Sequence, residues 1–198
     1  MIETKGWFAI HEMKEQMYDY INALEESHWW FQARRAIVLG CIERYFQRPR
    51  NARILDIGCG AGAMLKALSG YGELWGLDPN EKAIAYTAKK VPLARLAQGS
   101  FPQTIPAGKF DIITVLDVLE HIKQDSEALR AIRGLLAPGG IAILTVPAYQ
   151  WLWTSHDTWN EHERRYTAPE LRAKIQKAGL ALQKLSYYNT FLFPAIAA

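Results

Sequence analysis

The sequence predicts one α/β domain in which helices cover both faces of a doubly wound, mostly parallel sheet, with a helical extension at the N-terminus. The chain has 198 residues, of which 49% are hydrophobic, and this suffices for one core in one domain. Short apolar runs alternate with helical patterns from residue 53 onward, as they do when helices join parallel strands. The first apolar run ends in a cluster of glycines that leads into a helix.

The N-terminal part of the chain is predicted to be helical. A helical pattern extends from about residue 7 to residue 46 and breaks near residues 26–28, where Ser27 can cap a second helix. That second helix carries the apolar residues Trp30, Ile37, Val38 and Ile42. Two helices are therefore expected before the first strand.

Five apolar runs are predicted as strands, at residues 53–57, 74–77, 94–97, 110–116 and 141–146. Helices are predicted at residues 63–68, 81–90 and 126–136, and a turn before the fifth strand at Pro138, Gly139 and Gly140. Right-handed crossovers leave few arrangements of such units, and the doubly wound, Rossmann-like sheet is the usual one.

The alternation of strands and helices ends after the fifth strand. Residues 151–166 are aromatic and polar without a clear period, which indicates an insertion. Thr167 is predicted to cap a helix that runs to about Ala178, with Pro169 in its first turn and Gly179 at its end. Residues 180–188 are then predicted to form a sixth strand.

Charge and composition argue against several classes of protein. The formal net charge is only +3 and the basic residues are dispersed, so nucleic acid is not an expected partner. Cys41 and Cys59 are too few for a disulfide framework, which indicates a reducing compartment. The chain opens without a signal-peptide pattern and has no run of the roughly 20 apolar residues that span a bilayer. We therefore expect a cytoplasmic protein without a transmembrane segment.

The strongest motif is the glycine cluster after the first strand. Gly58, Gly60 and Ala63 satisfy the dinucleotide fingerprint G-x-G-x-x-A, and Asp78 follows Gly58 by 20 residues, where an acid can bind ribose hydroxyls. The glycines alone do not choose the cofactor. Asp56, two residues before the first glycine, favours a cationic ligand such as a sulfonium amino acid, because its carboxylate would repel a pyrophosphate.

Other motifs lie along the same core, namely Phe110-Asp111, Leu119-Glu120-His121 and Leu135-Leu136-Ala137-Pro138-Gly139-Gly140. Together with the glycine cluster, this set resembles the class I S-adenosylmethionine-dependent methyltransferases of the small-molecule type over residues 53–146. The flanks, at residues 26–35 and 156–167, are similar to one branch of that family, which does not by itself identify an acceptor.

The resemblance implies a role for each matching residue. In the family the glycine turn holds the methionine part of the cofactor, which assigns that role to Asp56, Gly58, Cys59, Gly60 and Gly62. Asp78 would hold the ribose hydroxyls. Contacts with the adenine and with the cofactor's amino group fall to Pro79, Ser100, Phe101, Leu116 and Asp117.

The acceptor is expected between two aromatic flanks. Trp29 and Trp30, with Arg34 nearby, form a lid over the cofactor or merely a staple between the N-terminal helices and the core. The insertion supplies the candidates His156, Asp157, His162, Arg165 and Tyr166. If the acceptor is a hydroxyl, its proton can pass to a histidine, and the candidates are His121, His156 and His162. No metal is expected, since two histidines without cysteines are a weak ligand pattern.

We therefore expect a single methyltransferase domain over residues 1–198. Its parts are a helical lid at 1–50, a cofactor-binding core at 51–147, and an acceptor-side insertion with a C-terminal helix and strand at 148–198. The expected reaction moves the methyl group of S-adenosylmethionine to a small-molecule or lipid-linked acceptor by in-line displacement and releases S-adenosylhomocysteine. The alternatives are an NAD-dependent oxidoreductase and a protein that binds S-adenosylmethionine without turnover. The expected assembly is a monomer or a homodimer.

Overall fold

A computed structural model describes residues 18–46, 51–188 and 190. Residues 18–24 are helical, and Trp29–Tyr45 forms helix α1, which His28 caps by accepting a hydrogen bond from the Trp30 N–H. The predicted break between two helices is confirmed. The predicted cap was wrong by one residue, because Ser27 still belongs to the preceding turn, where its N–H bonds the Leu24 carbonyl. The helical prediction before residue 18 lies outside the described residues.

The sheet has five parallel strands in the order β3-β2-β1-β4-β5, which confirms the doubly wound prediction. The strands are β1 (Ala52–Ile57), β2 (Gly72–Asp78), β3 (Arg95–Gln98), β4 (Phe110–Leu116) and β5 (Leu136–Thr145). Connecting helices are α2 (Ala63–Ala67), α3 (Glu81–Lys90) and α4 (Asp125–Leu135). The strand order reverses between β1 and β4, and in such sheets ligands bind at the carboxyl ends of the strands beside this reversal.

Each face of the sheet has its own hydrophobic core. Ile112 of β4 clusters with Val38 and Ile42 of α1, whereas its neighbour Ile113 clusters with Leu129 of α4 on the opposite face. Successive side chains of a strand point to opposite faces, so a central strand that is apolar throughout needs cover on both sides. The helices on both faces follow from this requirement.

Strand β5 begins five residues earlier than the sequence predicted. Leu136 already pairs with Phe110, and regular pairing resumes at Ile141 after residues 137–140 bulge out. The prediction of a separate proline-glycine turn was therefore wrong, since these residues form a bulge within the strand. Proline has no N–H for the ladder and Gly139, at φ 73°, adopts a conformation that favours glycine, which explains why the extra residues gather here.

The segment after β5 contains a one-turn 3₁₀ helix (Gln150–Leu152) and two α-helices, α5 (Ser155–Trp159) and α6 (Ala168–Lys177). The predicted cap of α6 is confirmed, because the Thr167 and Glu170 side chains each bond the backbone N–H of the other. Among the described residues, no helix combines the length and the apolar character that a membrane span requires.

The predicted sixth strand at residues 180–188 was wrong. Leu180, Leu182 and Leu185 do pack against the core, which accounts for the apolar pattern that suggested a strand. The backbone of this segment, however, pairs with no strand among the described residues. Apolar spacing indicates which side chains are covered, and it does not ensure that the backbone finds a hydrogen-bonded neighbour.

Candidate functional site

The glycine turn connects β1 to α2 at the carboxyl edge of the sheet, and Gly62 is the first residue before α2. Gly58 and Gly60 have φ of 74° and 54°, which glycine adopts without steric strain. A Cβ on Gly58 would overlap the Val118 side chain, so packing requires glycine there. A Cβ on Gly60 would meet no atom of the described chain within 4 Å. The space beside Gly60 is open, and a ligand there can approach the backbone closely.

Asp78 fixes this turn from the end of β2. One carboxylate oxygen accepts a hydrogen bond from the Gly60 N–H and the other from the Asn80 N–H, both at 2.9 Å. Burial raises the pKa of Asp78, and the two backbone N–H groups act against this by stabilising the charged form. Asp78 therefore lies directly beside the open space at Gly60. Its contact with a ribose stays a prediction.

Asp56 lies inside the sheet below the turn. It is 2% exposed, and its Oδ1 accepts a hydrogen bond of 2.6 Å from the Thr114 hydroxyl on β4. Burial raises the pKa of Asp56 to about 7, while the bond from Thr114 acts in the opposite direction. Sequence reasoning missed Thr114, because a threonine within an apolar strand carries no local signal.

The N-terminal segment contacts the carboxyl edge of the sheet, and we call the region between this segment, the glycine turn and the end of β4 the crevice. Arg34 of α1 forms an ion pair with Asp117 at the end of β4, and Asp117 also accepts a hydrogen bond of 2.8 Å from the Thr145 hydroxyl. Glu25 is buried and accepts a hydrogen bond of 3.4 Å from the Ala63 N–H at the start of α2. The sequence did not indicate Glu25 or Thr145, because the partners of both lie far away along the chain.

Residues 18–24 dock on the junction of β2 and α3. Burial raises the pKa of Tyr18, and the negative charge of Asp78 adds to this effect, so the phenol lies near that carboxylate. Asp19 forms an ion pair of 2.9 Å with Lys82 of α3. The N-terminal segment thus contacts both the glycine-turn side and the Asp117 side of the crevice.

Two further strand ends carry predicted cofactor residues. Pro79 follows the end of β2, and Ser100 and Phe101 follow the end of β3. The Gly99 N–H donates a hydrogen bond of 3.0 Å to the Asp78 carbonyl, which ties the loop after β3 to the end of β2. Phe101 is 6% exposed and packs into the core, so little of its ring is open to a ligand. Cys59 and Leu116, which were also predicted to contact the cofactor, are buried as well.

His121 and His162 meet at the edge of the crevice, with ring centroids 4.7 Å apart. The His162 Nδ1 lies 2.9 Å from Asp157, and Arg165 binds both oxygens of Asp157 at 2.7 Å. Burial acts against the charge of Asp157, yet hydrogen bonds led by those from Arg165 and the Thr154 N–H hold its pKa well below the ordinary value. Burial, helped by the charge of His162, lowers the pKa of His121 and favours its neutral imidazole.

His156 and Tyr166 lie apart from this pair. The His156 Nε2 lies 3.0 Å from the Asn160 side-chain nitrogen, and its ring centroid is 6.5 Å from that of His162. Tyr166 is 3% exposed and donates a hydrogen bond of 3.0 Å to Asp125, so it anchors the insertion to the core. The structure brings together His121, His162, Asp157 and Arg165, but not the other two candidates.

An aromatic pair borders the crevice beside Asp117. Trp30 packs on Tyr188 with ring centroids 5.7 Å apart, whereas Trp29 is 54% exposed. Burial raises the pKa of Tyr188 to about 12, and the charge of Asp117 adds to this, which indicates their proximity. Tyr188 was missed as a site residue, since its segment was predicted to be an ordinary strand.

Fold and site together define a class of protein. A doubly wound sheet with an open glycine turn, fixed by a carboxylate at the end of the second strand, is typical of domains that bind adenosine-containing cofactors. A family model described as a methyltransferase domain matches residues 7–185. The chain belongs to the class I S-adenosylmethionine-dependent methyltransferase family. The resemblance inferred from the motifs is thereby confirmed, and methyl transfer is favoured over the oxidoreductase alternative.

Curated relatives match part of the chain. The ubiquinone biosynthesis O-methyltransferase of Bordetella avium is 32% identical over 143 residues, which cover 62% of this chain and 56% of that protein. The chain spans about half the length of the curated relatives it matches.

Solved structures share the fold over most of the chain. An S-adenosylmethionine-dependent methyltransferase from Clostridium acetobutylicum has a TM-score of 0.70 at 15% identity, over 90% of this chain and 92% of that one. The N-methyltransferase NodS from Bradyrhizobium japonicum, in complex with S-adenosyl-L-homocysteine, has a TM-score of 0.65 at 21% identity, over 86% and 87%. At these identities the likeness establishes the fold.

Proposed function

We propose that the chain binds S-adenosylmethionine at the carboxyl ends of β1, β2 and β4 and transfers its methyl group to a hydroxyl of a small-molecule or lipid-linked acceptor. The observation that carries the proposal is the open space beside Gly60, next to the buried carboxylate of Asp78. Acidic side chains end the three central strands, namely Asp56, Asp78 and Asp117, and Arg34 pairs with only one of them, so these strand ends suit a sulfonium cation better than a pyrophosphate. The residues therefore fit this cofactor.

Two observations support oxygen as the accepting atom. The relatives named for ubiquinone biosynthesis are O-methyltransferases, among them that of Bordetella avium. His121, with its lowered pKa, offers a neutral imidazole that can take a proton from a hydroxyl. Trp30 and Tyr188 give the same edge an apolar border, which suits an acceptor with an aromatic or aliphatic part.

The chain contributes mainly by binding and orienting. S-adenosylmethionine, when bound, supplies an electrophilic methyl group on a sulfonium sulfur. The glycine turn and Asp78 hold this ligand in place, and α1 covers it through the pair of Arg34 with Asp117, which excludes water. The His121 imidazole accepts the acceptor's proton. No covalent bond to the protein is needed in such a displacement.

Three consecutive parts of the chain have different proposed roles. Residues 1–50 act as the lid, residues 51–147 bind the cofactor, and residues 148–198 form the acceptor side. Cys41 and Cys59 are both free thiols, which supports a reducing compartment such as the cytoplasm. A small-molecule acceptor needs no partner protein, and the proposed assembly is a monomer or a homodimer.

Titration calorimetry tests the cofactor site. Gly60→Leu is expected to abolish measurable binding of S-adenosylmethionine, because its side chain fills the space that the ligand needs. Gly134→Leu is the matched control, since a Cβ there also meets nothing within 4 Å but lies on α4, away from the crevice. Unchanged affinity in Gly60→Leu, with circular dichroism like that of the wild type, would contradict the proposed site.

Turnover is tested separately, with radiolabelled S-adenosylmethionine and a panel of phenols, catechols and hydroxylated lipids. Labelled product is expected from acceptors that carry a hydroxyl beside an apolar part. Tight binding without label transfer to any member of the panel would favour the non-catalytic alternative.

A further inference from the structure

A cluster of three potential metal ligands lies on the acceptor side of the crevice. Glu120, His121 and His162 each offer one ligand atom, and these three atoms lie within 4.8 Å of one another. Glu120 and His121 belong to the 3₁₀ turn Leu119–His121 after β4, whereas His162 comes from the insertion. A hydrogen bond of 2.8 Å from the Glu163 N–H to the Glu120 carbonyl joins the two segments. This hydrogen bond keeps the turn that carries Glu120 and His121 beside the insertion that carries His162.

The Glu120 carboxyl group is buried without a partner. Its side chain is 1% exposed, and neither oxygen has a hydrogen-bond partner in the described part of the chain. Of the nearby charges, Arg34 is already paired with Asp117, and Asp157 is paired with Arg165. A buried carboxyl group that lacks hydrogen bonds is unfavourable, and a bound cation would stabilise it.

The two imidazoles are oriented as metal ligands usually are. The His162 Nδ1 donates to Asp157, whose charge is held by Arg165, and this leaves the Nε2 lone pair of His162 free to bind. The His121 ring lies beside the backbone of Asn160. Histidines that bind metals nearly always use their second nitrogen to contact a carboxylate or a carbonyl in this way.

We propose that Glu120, His121 and His162 bind one Zn²⁺ ion on the acceptor side of the crevice. Two histidines and one glutamate form the ligand set of many zinc sites that keep a fourth position open. Zinc bonds of about 2.0–2.2 Å place tetrahedral ligands about 3.4 Å apart, which small side-chain rotations achieve from the present spacing.

The position of the cluster indicates what the metal does. Asp117, at the end of β4, precedes Glu120 by three residues, so the cluster lies close to the strand end that we assign to the cofactor. Bound zinc would lower the pKa of a hydroxyl that it holds, so the proton would leave to solvent and the oxygen would attack the methyl group as its bond to sulfur breaks. With zinc bound, loss of the proton to solvent replaces proton transfer to His121, whose lone pair then binds the metal. This role rests on the proposed function, whereas zinc binding itself does not.

Zinc binding can be measured on the full chain after treatment with a chelator. Titration with Zn²⁺ against a chromogenic chelator is expected to reveal one tightly bound equivalent. Glu120→Gln and His162→Gln should each weaken binding by more than the about 10- to 100-fold that loss of a second-shell group causes. Glu163→Gln and His156→Gln are matched controls outside the cluster and should retain the wild-type affinity.

Thermal unfolding provides a second readout that does not depend on activity. Zn²⁺ is expected to raise the Tm of the chelated wild-type protein and of the two controls, but not that of Glu120→Gln. The inference is overturned if the wild-type protein binds no zinc, or if its bound equivalent persists in both cluster variants.

Binding of S-adenosylhomocysteine to the chelated protein separates this inference from the proposed function. Binding of S-adenosylhomocysteine without any zinc equivalent overturns the metal site alone. A zinc equivalent without binding of S-adenosylhomocysteine supports the metal site and contradicts the proposed function.

Discussion

At the scale of single residues, three carboxylates end the central strands and each has a different partner. Asp78 accepts two backbone N–H groups, Asp56 accepts the Thr114 hydroxyl inside the sheet, and Asp117 pairs with Arg34 from the N-terminal helix. The partner determines what each carboxylate does. One shapes the turn, one is a buried titratable group, and one holds α1.

Alanine at Gly58 is expected to destabilise the fold more than alanine at Gly60. Both substitutions force a left-handed φ on alanine, which costs about 1–2 kcal/mol. Only a Cβ at position 58 would also overlap Val118, and such overpacking adds about 1–3 kcal/mol. Urea unfolding measures both losses, and equal losses would show that the space beside Gly60 is not open.

Asp56 is expected to make stability fall as the pH rises. The pKa of Asp56 is about 7 in the folded chain and about 4 in the unfolded chain, so the folded state binds the proton more tightly. Its contribution is fully present below about pH 4 and is lost as the pH rises through about 7, by at most about 4 kcal/mol.

Asp56→Asn removes this dependence while keeping an acceptor for the Thr114 hydroxyl. The variant should match the wild-type stability in urea at about pH 4 and exceed it at about pH 8. A constant difference in stability between the two proteins across this range would contradict the assignment to Asp56.

At the scale of elements, α1 and the insertion reach the sheet through ion pairs as well as through apolar contacts. The Arg34 and Asp117 side chains are 18% and 34% exposed, whereas the Asp157 carboxylate that binds Arg165 is fully buried. A partly exposed pair contributes little to global stability but can hold one helix in place. Helix α1 is therefore expected to detach from the sheet more readily than the insertion.

Arg34→Gln should loosen α1 selectively. Loss of an ion pair worth about 1 kcal/mol is expected to speed hydrogen exchange of the α1 amides about fivefold, while amides of β1 and β4 remain protected. Arg44→Gln is the control. Arg44 lies in the last turn of α1, and in the described part of the chain its guanidinium contacts only the neighbouring Tyr45 ring. Similar exchange rates of the α1 amides in Arg34→Gln and Arg44→Gln would show that Arg34 does not hold α1 in place.

At the scale of the whole molecule, segments that lie far apart along the chain meet at the carboxyl edge of the sheet. The N-terminal segment reaches this edge through Glu25 and Arg34, and the insertion reaches it through His162. A ligand between these segments would contact all of them at once. Binding is therefore expected to stabilise the molecule globally.

S-adenosylhomocysteine at about 100 times its Kd should stabilise the fold by about 2.7 kcal/mol, which corresponds to a rise in Tm of about 5–10 °C. NADH at the same concentration should leave the Tm unchanged, and so should S-adenosylhomocysteine with Gly60→Leu. Differential scanning fluorimetry makes all three comparisons, and a larger rise with NADH would favour the oxidoreductase alternative.

Local patterns in the sequence were sufficient for most of the fold and for the family. Apolar runs predicted all five strands, β1 to β4 to within two residues at each end, and Thr167 predicted the start of α6, because each signal lies within one element. The same kind of reasoning was wrong for residues 180–188 and misplaced the start of β5, since strand pairing depends on a neighbour that no local pattern specifies.

The sequence by itself determined the parallel sheet, the glycine turn and the presence of Asp78 at a strand end. Only the tertiary structure decided that Glu25 would support α2, that Arg34 would meet Asp117, and that Glu120 would be buried beside two histidines. The physical reason is distance along the chain. Propensity and periodicity act over a few residues, whereas these contacts join groups that come together only after the sheet has assembled.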